Sequence, residues 1–341
     1  MALPIFRPTA KRRDMGSVLS CIVSDRIGPG EVTRDLVSRM CQYVGMAGGV
    51  SVFHPYLALS MAFDSLGLVA GDSVVLSALS PALHVRVARE KGLFPLIADV
   101  EPESGSIDPK EVEKLLARSP KAVVIHHTLG IVAATEALKA FGLPVIEDIS
   151  QGLGGRIGET VCGGTGDLAI VSLFPEDIIT CGSGALVMAK SRNAAAGLRR
   201  LAEQSPLLAP LADMNAALGI SQLHALDRFI AARREIQAAY SQSLMKSRHK
   251  PLIQKGEVDS ILCAFPVVLA DGMKDVRQYA LKKGVESVPA FADSAVSRDD
   301  AADFSCPNAR SLMLRCLLFP LYPMLGRKDV EAVQKVLATM P

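Results

Sequence analysis

Short apolar runs alternate with helical patterns through the N-terminal two thirds of the chain. The runs that predict strands are residues 73–79, 94–100, 121–127, 143–148, 167–174 and 184–190. Several are continuously apolar, as in strands that are covered on both faces. Helical patterns lie between them at 56–65, 81–91, 109–117 and 135–141. This alternation predicts an α/β domain with a mainly parallel sheet.

The pattern changes after a long amphipathic segment at 213–245, which predicts a helix that bridges two domains. The segments 261–270, 275–284 and 329–340 then predict a smaller α+β domain. We place the boundary near residue 230. This gives a large domain with an N-terminal arm at 1–230 and a small C-terminal domain at 231–341.

Composition limits the function classes. Of 341 residues, 49% are hydrophobic and the formal net charge is +2, which gives no electrostatic reason to expect a nucleic-acid partner. The N-terminus lacks an apolar core of signal-peptide length, and no apolar run is long enough to span a bilayer. The seven cysteines form no CxxC pair, which favours a reducing compartment. We therefore expect a cytoplasmic protein that has neither a membrane nor a nucleic-acid partner.

Polar side chains follow the predicted strands at their carboxyl ends, where open parallel sheets bind ligands. They are His126, His127, Glu147, Asp148 and Ser172. In PVIEDISQGLGG an apolar strand leads to two carboxylates, an amide and a glycine-rich loop. Taken alone, such acids most often lie solvated at a turn.

The context of this segment changes its interpretation. PVIEDISQ, GDLAIVSLF and GSGALV resemble, in this order, three elements of the DegT/DnrJ/StrS family of sugar aminotransferases. AALGISQLHALDRFIAARREIQAAY is similar to the family's domain-linking helix, and FPLYPMLGRKDVEAVQKVL is similar to its closing segment. The resemblance covers essentially the whole chain in collinear order. It implies fold type I of the transferases that depend on pyridoxal phosphate (PLP), with a mainly parallel seven-stranded sheet between helices, and a homodimer.

Members of this family use PLP to move an amino group to a keto-sugar nucleotide. The motif match implies that Asp148 pairs with the pyridine nitrogen, that Gln151 lies beside the cofactor and that Ser172 contacts its phosphate. The phosphate-binding helix start falls on His54 and Tyr56, which are therefore candidate cofactor residues. His127 matches a residue of the family's Val-His-Leu-Tyr-Gly turn and is a candidate for substrate binding.

The family's Schiff-base lysine is missing. The family pattern Ser-Phe-x-x-x-Lys corresponds to SLFPEDIITCGSGA, which places Asp177 at the lysine position. No lysine occurs between Lys139 and Lys190, so a one-residue misalignment does not restore one. A carboxylate cannot form a Schiff base with PLP or act as the amine base for the proton shift.

Three further departures weaken the same cofactor site. Ser-Gly-Thr of the phosphate helix is replaced by His54-Pro55-Tyr56, which removes one N–H donor and adds bulk. Pro81 or a neighbour stands where an aromatic residue usually stacks on the ring. The family's Asn-Tyr-Arg stretch falls on residues 208–210, which are Leu208, Ala209 and Pro210.

Three hypotheses remain open. In the first, the chain has lost transaminase activity and binds a sugar nucleotide, another ligand or a partner such as an active paralogue, with PLP bound weakly, non-covalently or not at all. In the second, it is an enzyme that uses non-covalent PLP. In the third, His54, His127, Asp148 and Asp177 converge to bind a metal or to act as acid and base. The sequence alone assigns no residue as a metal ligand.

Overall fold

The computed structural model describes residues 2–205, 210–254, 256, 258–297 and 304–341. Helices are α1 (Met15–Val23), α2 (Glu31–Val44), α3 (Pro55–Ser65), α4 (Ala82–Glu90), α5 (Pro109–Leu115), α6 (Thr135–Lys139), α7 (Arg192–Gln204), α8 (Asp213–His224), α9 (Leu226–Leu244), α10 (Met273–Lys282), α11 (Pro307–Arg315) and α12 (Arg327–Thr339). Strands are β1 (Gly48–Val52), β2 (Ser73–Ser77), β3 (Phe94–Ala98), β4 (Ala122–His126), β5 (Val145–Asp148), β6 (Arg156–Ile157), β7 (Thr160–Val161), β8 (Leu168–Ser172), β9 (Ala185–Ala189), β10 (Lys250–Pro251), β11 (Val258–Asp259), β12 (Phe265–Val268), β13 (Val288–Pro289) and β14 (Cys316–Phe319).

The described residues form a seven-stranded sheet in the order β1-β9-β8-β5-β4-β2-β3. Neighbours from β8 to β3 pair in parallel, and β9 runs antiparallel to both β8 and β1. Strands β4, β8 and β9 are buried along their whole length, as their continuous apolar sequences predict. The predicted α/β class and the mainly parallel seven-stranded sheet are confirmed.

Helices cover both faces of this sheet. Successive residues of each strand point to opposite sides, so each strand contributes apolar side chains to both faces. Val74 of β2 and Val124 of β4 pack into a large core that also contains residues of α3 and α9. Their neighbours Val75 and Val123 pack into a second core with residues of α5 and α6. The same alternation decides which polar side chains meet at the strand ends.

The C-terminal part of the chain builds a second sheet. Its described residues form four antiparallel strands in the order β10-β12-β14-β13. This agrees with the predicted α+β character, and the division at residue 230 stays a prediction.

The predicted continuous helix at 213–245 is wrong at one position. A turn at Ala225 separates α8 from α9, because the Ala225 N–H bonds to the carbonyl of Gln222, three residues back.

No described helix is both long enough and apolar enough to cross a bilayer.

Candidate functional site

Asp148 ends β5 and is held from several sides. Its Oδ2 lies 3.0 Å from Nε2 of His84 on α4 and 3.1 Å from Nδ1 of His126 on β4. Its Oδ1 accepts hydrogen bonds from the backbone N–H of Ser150, at 3.0 Å, and from the Ser150 hydroxyl. Asp148 is only 4% exposed, and both histidines are 2% exposed. Asp148 is therefore not a solvated acid at a turn, which is what an isolated strand end would suggest.

The two histidines determine the charge of this carboxyl group. Burial alone would raise the pKa of Asp148. The charge of His126 and the hydrogen bonds from His126 and His84 outweigh burial, and they hold the pKa of Asp148 well below its usual range. Asp148 is thus a buried carboxylate stabilised by two imidazole rings.

Gln151 completes the surroundings of His126. Its side-chain oxygen accepts a hydrogen bond from the backbone N–H of Leu129, at 2.7 Å, and lies 3.1 Å from His126 Nε2. His126 therefore faces an oxygen acceptor with each ring nitrogen, Asp148 on one side and Gln151 on the other. A neutral imidazole donates through one nitrogen only. Both contacts of His126 are satisfied if the ring is protonated on both nitrogens, or if a cation takes the place of the proton at Nδ1.

Glu147 and His127 form a separate pair on the opposite face of the sheet. His127 Nε2 lies 3.1 Å from Glu147 Oε2, and His127 Nδ1 accepts a hydrogen bond from the Ala133 N–H at 3.2 Å. Both side chains are fully buried. His127 was predicted to bind substrate and, in the third hypothesis, to meet His54, Asp148 and Asp177. His127 does not belong to that group, because adjacent strand residues point to opposite faces and His127 faces Glu147. Asp148 does act on Asp177, because its charge helps to raise the pKa of Asp177.

His54 caps the start of α3. Its Nδ1 accepts a hydrogen bond from the Tyr56 N–H at 3.0 Å, and its ring meets the ring of Phe174 edge-on at 5.2 Å. The Leu57 and Ala58 N–H groups bond to the His54 carbonyl, and Pro55 has no N–H. In the described chain, no amide of this first turn is left to bind a phosphate. The Tyr56 hydroxyl is turned toward Glu90.

The loop after β8 closes around Asp177. Asp177 Oδ2 accepts a hydrogen bond from the Phe174 N–H at 2.7 Å, and the Ser172 side chain also bonds to this carboxyl group. Burial raises the pKa of Asp177 to about 7, although these two hydrogen bonds act to lower it. Ser172, the predicted phosphate contact, is therefore engaged by Asp177, which the sequence resemblance places at the family's lysine position.

We expect Asp177 to make stability depend on pH. The folded protein holds the proton of Asp177 up to about pH 7, whereas the unfolded chain loses it near the ordinary value of 3.8. The contribution of Asp177 is therefore most favourable below the unfolded pKa and is lost as pH rises through the folded value. Asp177→Asn should raise the free energy of unfolding by about 2 kcal/mol near pH 8 and by little near pH 4.

Urea unfolding of the parent and of Asp177→Asn at pH 8 and pH 4 measures this change in the free energy of unfolding. Glu159→Gln, at an exposed carboxylate that is not among the groups acting on Asp177, is the control and should change little at either pH. An equal effect of Asp177→Asn at both pH values would contradict the assignment.

The sequence differs from the family pattern at two further places, Pro81 and residues 208–210. Pro81 is the residue before α4 and has no aromatic ring that could stack on a cofactor, while His84 lies within the first turn of the same helix. Pro210 is described, but Leu208 and Ala209 lie outside the described residues. Sequence reasoning missed His84 altogether, and nothing in SPALHVRVARE distinguishes it from an ordinary helix histidine.

A model of the DegT/DnrJ/EryC1/StrS aminotransferase family matches residues 8–338. The chain belongs to this family.

Solved structures of similar fold include the aminotransferase TlmJ from Streptoalloteichus hindustanus, which is 24% identical with a TM-score of 0.92 and coverage of 99% of this chain and 98% of that one. The putative sugar aminotransferase Spr1654 from Streptococcus pneumoniae, in its PLP form, is 18% identical with a TM-score of 0.91, covering 99% and 98%. A mutant of GDP-4-keto-6-deoxymannose-3-dehydratase (ColD) with bound GDP-perosamine is 18% identical with a TM-score of 0.87, covering 98% and 99%. At these identities the likeness establishes the fold.

The residues of this site do not fit PLP bound in the covalent manner that the family resemblance implies. Asp148, Gln151 and Ser172 are present, but each is already bonded to a protein group. The first turn of α3 offers no free amide for a phosphate, and the loop that carries Asp177 contains no lysine.

Proposed function

We propose that this chain is a member of the sugar aminotransferase and dehydratase family that has lost transamination and binds a nucleoside diphosphate sugar. Family membership supports the ligand class, and so does the GDP-perosamine bound to a protein of the same fold. The observation that carries the loss is Asp177, which stands at the lysine position and bonds to Ser172 and the Phe174 N–H. A carboxylate held in this way can neither bond covalently to PLP nor supply the amine base.

The retained scaffold suggests the cellular context of the protein. We propose a cytoplasmic homodimer that acts in polysaccharide or modified-sugar metabolism, where it binds its ligand or an active paralogue. The family resemblance supports this assembly and pathway class. The nearly neutral charge gives no reason to add a nucleic-acid partner.

Thermal unfolding with added ligands tests the proposal. A nucleoside diphosphate sugar should raise the melting temperature saturably, because a ligand that binds only the folded state stabilises it by about 2.7 kcal/mol at a hundred times its Kd. PLP at the same concentrations should produce no shift, and a nucleoside monophosphate serves as the control for unspecific binding. Saturable stabilisation by PLP without any response to sugar nucleotides would contradict the proposal.

A second candidate is an enzyme that binds PLP non-covalently, as in a dehydratase. The specific observation in its favour is that Asp148 at the end of β5, Gln151 three residues later and Ser172 at the end of β8 match the family's cofactor residues. The fold shared with a sugar-nucleotide dehydratase also supports it. This candidate predicts saturable PLP binding that Asp148→Ala weakens, and absence of binding at cofactor excess would exclude it.

A further inference from the structure

We propose that His84 Nε2, His126 Nδ1 and Asp148 Oδ2 form a binding site for one divalent transition-metal ion of the zinc class. This inference goes beyond the proposed function and does not depend on it. The site lies where β4 and β5 end under α4, on the face of the sheet that carries Asp148.

The ligand atoms are already gathered. Asp148 Oδ2 lies 3.0 Å from His84 Nε2 and 3.1 Å from His126 Nδ1, and the three atoms all lie within 4.8 Å of one another. Ligands at about 2.0–2.2 Å from a tetrahedral zinc ion are separated by little more than 3 Å. An ion can therefore enter between these atoms after a small outward shift, without a rearrangement of the backbone.

The groups around the ligands have the pattern of an outer coordination shell. A histidine that binds a metal through one nitrogen usually donates its other N–H to an oxygen, which fixes the tautomer and the ring orientation. His126 Nε2 faces the Gln151 side-chain oxygen at 3.1 Å, and the Leu129 N–H fixes which end of the amide this is. Asp148 Oδ1 is held by Ser150, which leaves Oδ2 for the ion.

A metal ion also resolves the hydrogen bonding of His126. Both of its nitrogens face oxygen acceptors, so a neutral ring leaves one contact without a proton. With a metal at Nδ1, a neutral ring donates Nε2–H to Gln151 and every contact is satisfied. His84 Nδ1 is buried without a hydrogen-bond partner among the described residues, so the outer contact that Gln151 gives to His126 has no counterpart at His84.

The ligand chemistry selects the class of ion. Two imidazoles and one carboxylate suit Zn²⁺, Co²⁺, Ni²⁺ or Fe²⁺, whereas Mg²⁺ and Ca²⁺ require mostly oxygen ligands. Three protein ligands leave a fourth position for water or a ligand oxygen, as in zinc sites that are not purely structural. The site is distinct from the combination of His54, His127, Asp148 and Asp177 considered from the sequence.

Cobalt titration of the full chain tests the site. Protein stripped with a chelator should bind one Co²⁺ per chain with the visible absorption of a four-coordinate ion, and Zn²⁺ should displace it. His84→Ala, His126→Ala and the isosteric Asp148→Asn should each weaken binding by about 100-fold or more, and Gln151→Ala should weaken it by about 10-fold. His224→Ala, an exposed histidine outside the cluster, is the matched control and should bind as the parent does.

Circular dichroism of each metal-free variant shows whether it folds, and Asp148→Asn or Gln151→Ala decides the question if an alanine variant does not. The proposal is overturned if the parent chain binds less than half an equivalent of Co²⁺ and of Zn²⁺. It is also overturned if folded ligand variants bind as tightly as the parent, or if His224→Ala loses binding to the same degree, since the bound ion is then adventitious.

Discussion

Glu147→Leu is expected to lower the free energy of unfolding by about 3–5 kcal/mol, the largest loss that we expect from any single change in this chain. Glu147 is fully buried, and its Oε2 lies 3.1 Å from His127 Nε2 and accepts a hydrogen bond from the Gly163 N–H, also at 3.1 Å. Its Oε1 accepts hydrogen bonds from the Thr165 N–H, at 3.1 Å, and from the Gly166 N–H. Leucine fills the space but leaves these donors buried without an acceptor.

Urea unfolding followed by circular dichroism measures this loss. Glu147→Gln keeps one side-chain oxygen for the amides and should lose roughly half as much free energy. Glu113→Gln, at an exposed position, is the control and should stay within about 0.5 kcal/mol of the parent. A loss below about 1 kcal/mol in Glu147→Leu would show that these donors find other partners.

Arg233→Met is expected to destabilise the protein by about 2–3 kcal/mol. Arg233 of α9 is 3% exposed, and its Nη1 donates to the carbonyls of Leu262, Cys263 and Leu321 at 3.2, 2.9 and 2.6 Å. These carbonyls flank β12 and β14 of the C-terminal sheet. Methionine removes the cost of burying the charge, which already lowers the pKa of Arg233 to about 10, but it leaves three carbonyls without a donor.

The neighbouring Arg234→Met is the matched control, because Arg234 is exposed and paired with Asp259 on the surface. A surface ion pair contributes about 0–1 kcal/mol, so this change should have a small effect. Thermal unfolding of both variants compares them directly. Equal melting temperatures for Arg233→Met and Arg234→Met would contradict the role that we give to Arg233.

The sheet could be predicted from the sequence because burial on both faces leaves a clear pattern. The continuously apolar runs KAVVIHH and DLAIVSLF mark β4 and β8, although the predicted bounds are slightly too long. Strand β1 was missed because GGVSV, with two glycines and a serine, lacks both the apolar run and the alternation of a strand. Its pairing with β9 depends on contacts between residues far apart in the chain.

The candidate site could be predicted only in part. The position of Asp148 at a strand end follows from its segment, but the choice between His126 and His127 depends on register. In the parallel pairing of β4 and β5, His126 lies opposite Asp148, and His127 turns to the other face toward Glu147. His84 comes from a helix that lies over this face, which no local pattern reveals.

We propose that this chain does not bond covalently to PLP, because the family resemblance places Asp177 at the position of the Schiff-base lysine. The most direct measurement is absorption spectroscopy of the protein with excess PLP, followed by borohydride reduction and peptide mass spectrometry. We predict no stoichiometric Schiff-base absorption and no single lysine that carries the reduced cofactor in one-to-one ratio. A Schiff-base band that saturates at one PLP per chain and maps to one lysine would contradict the account.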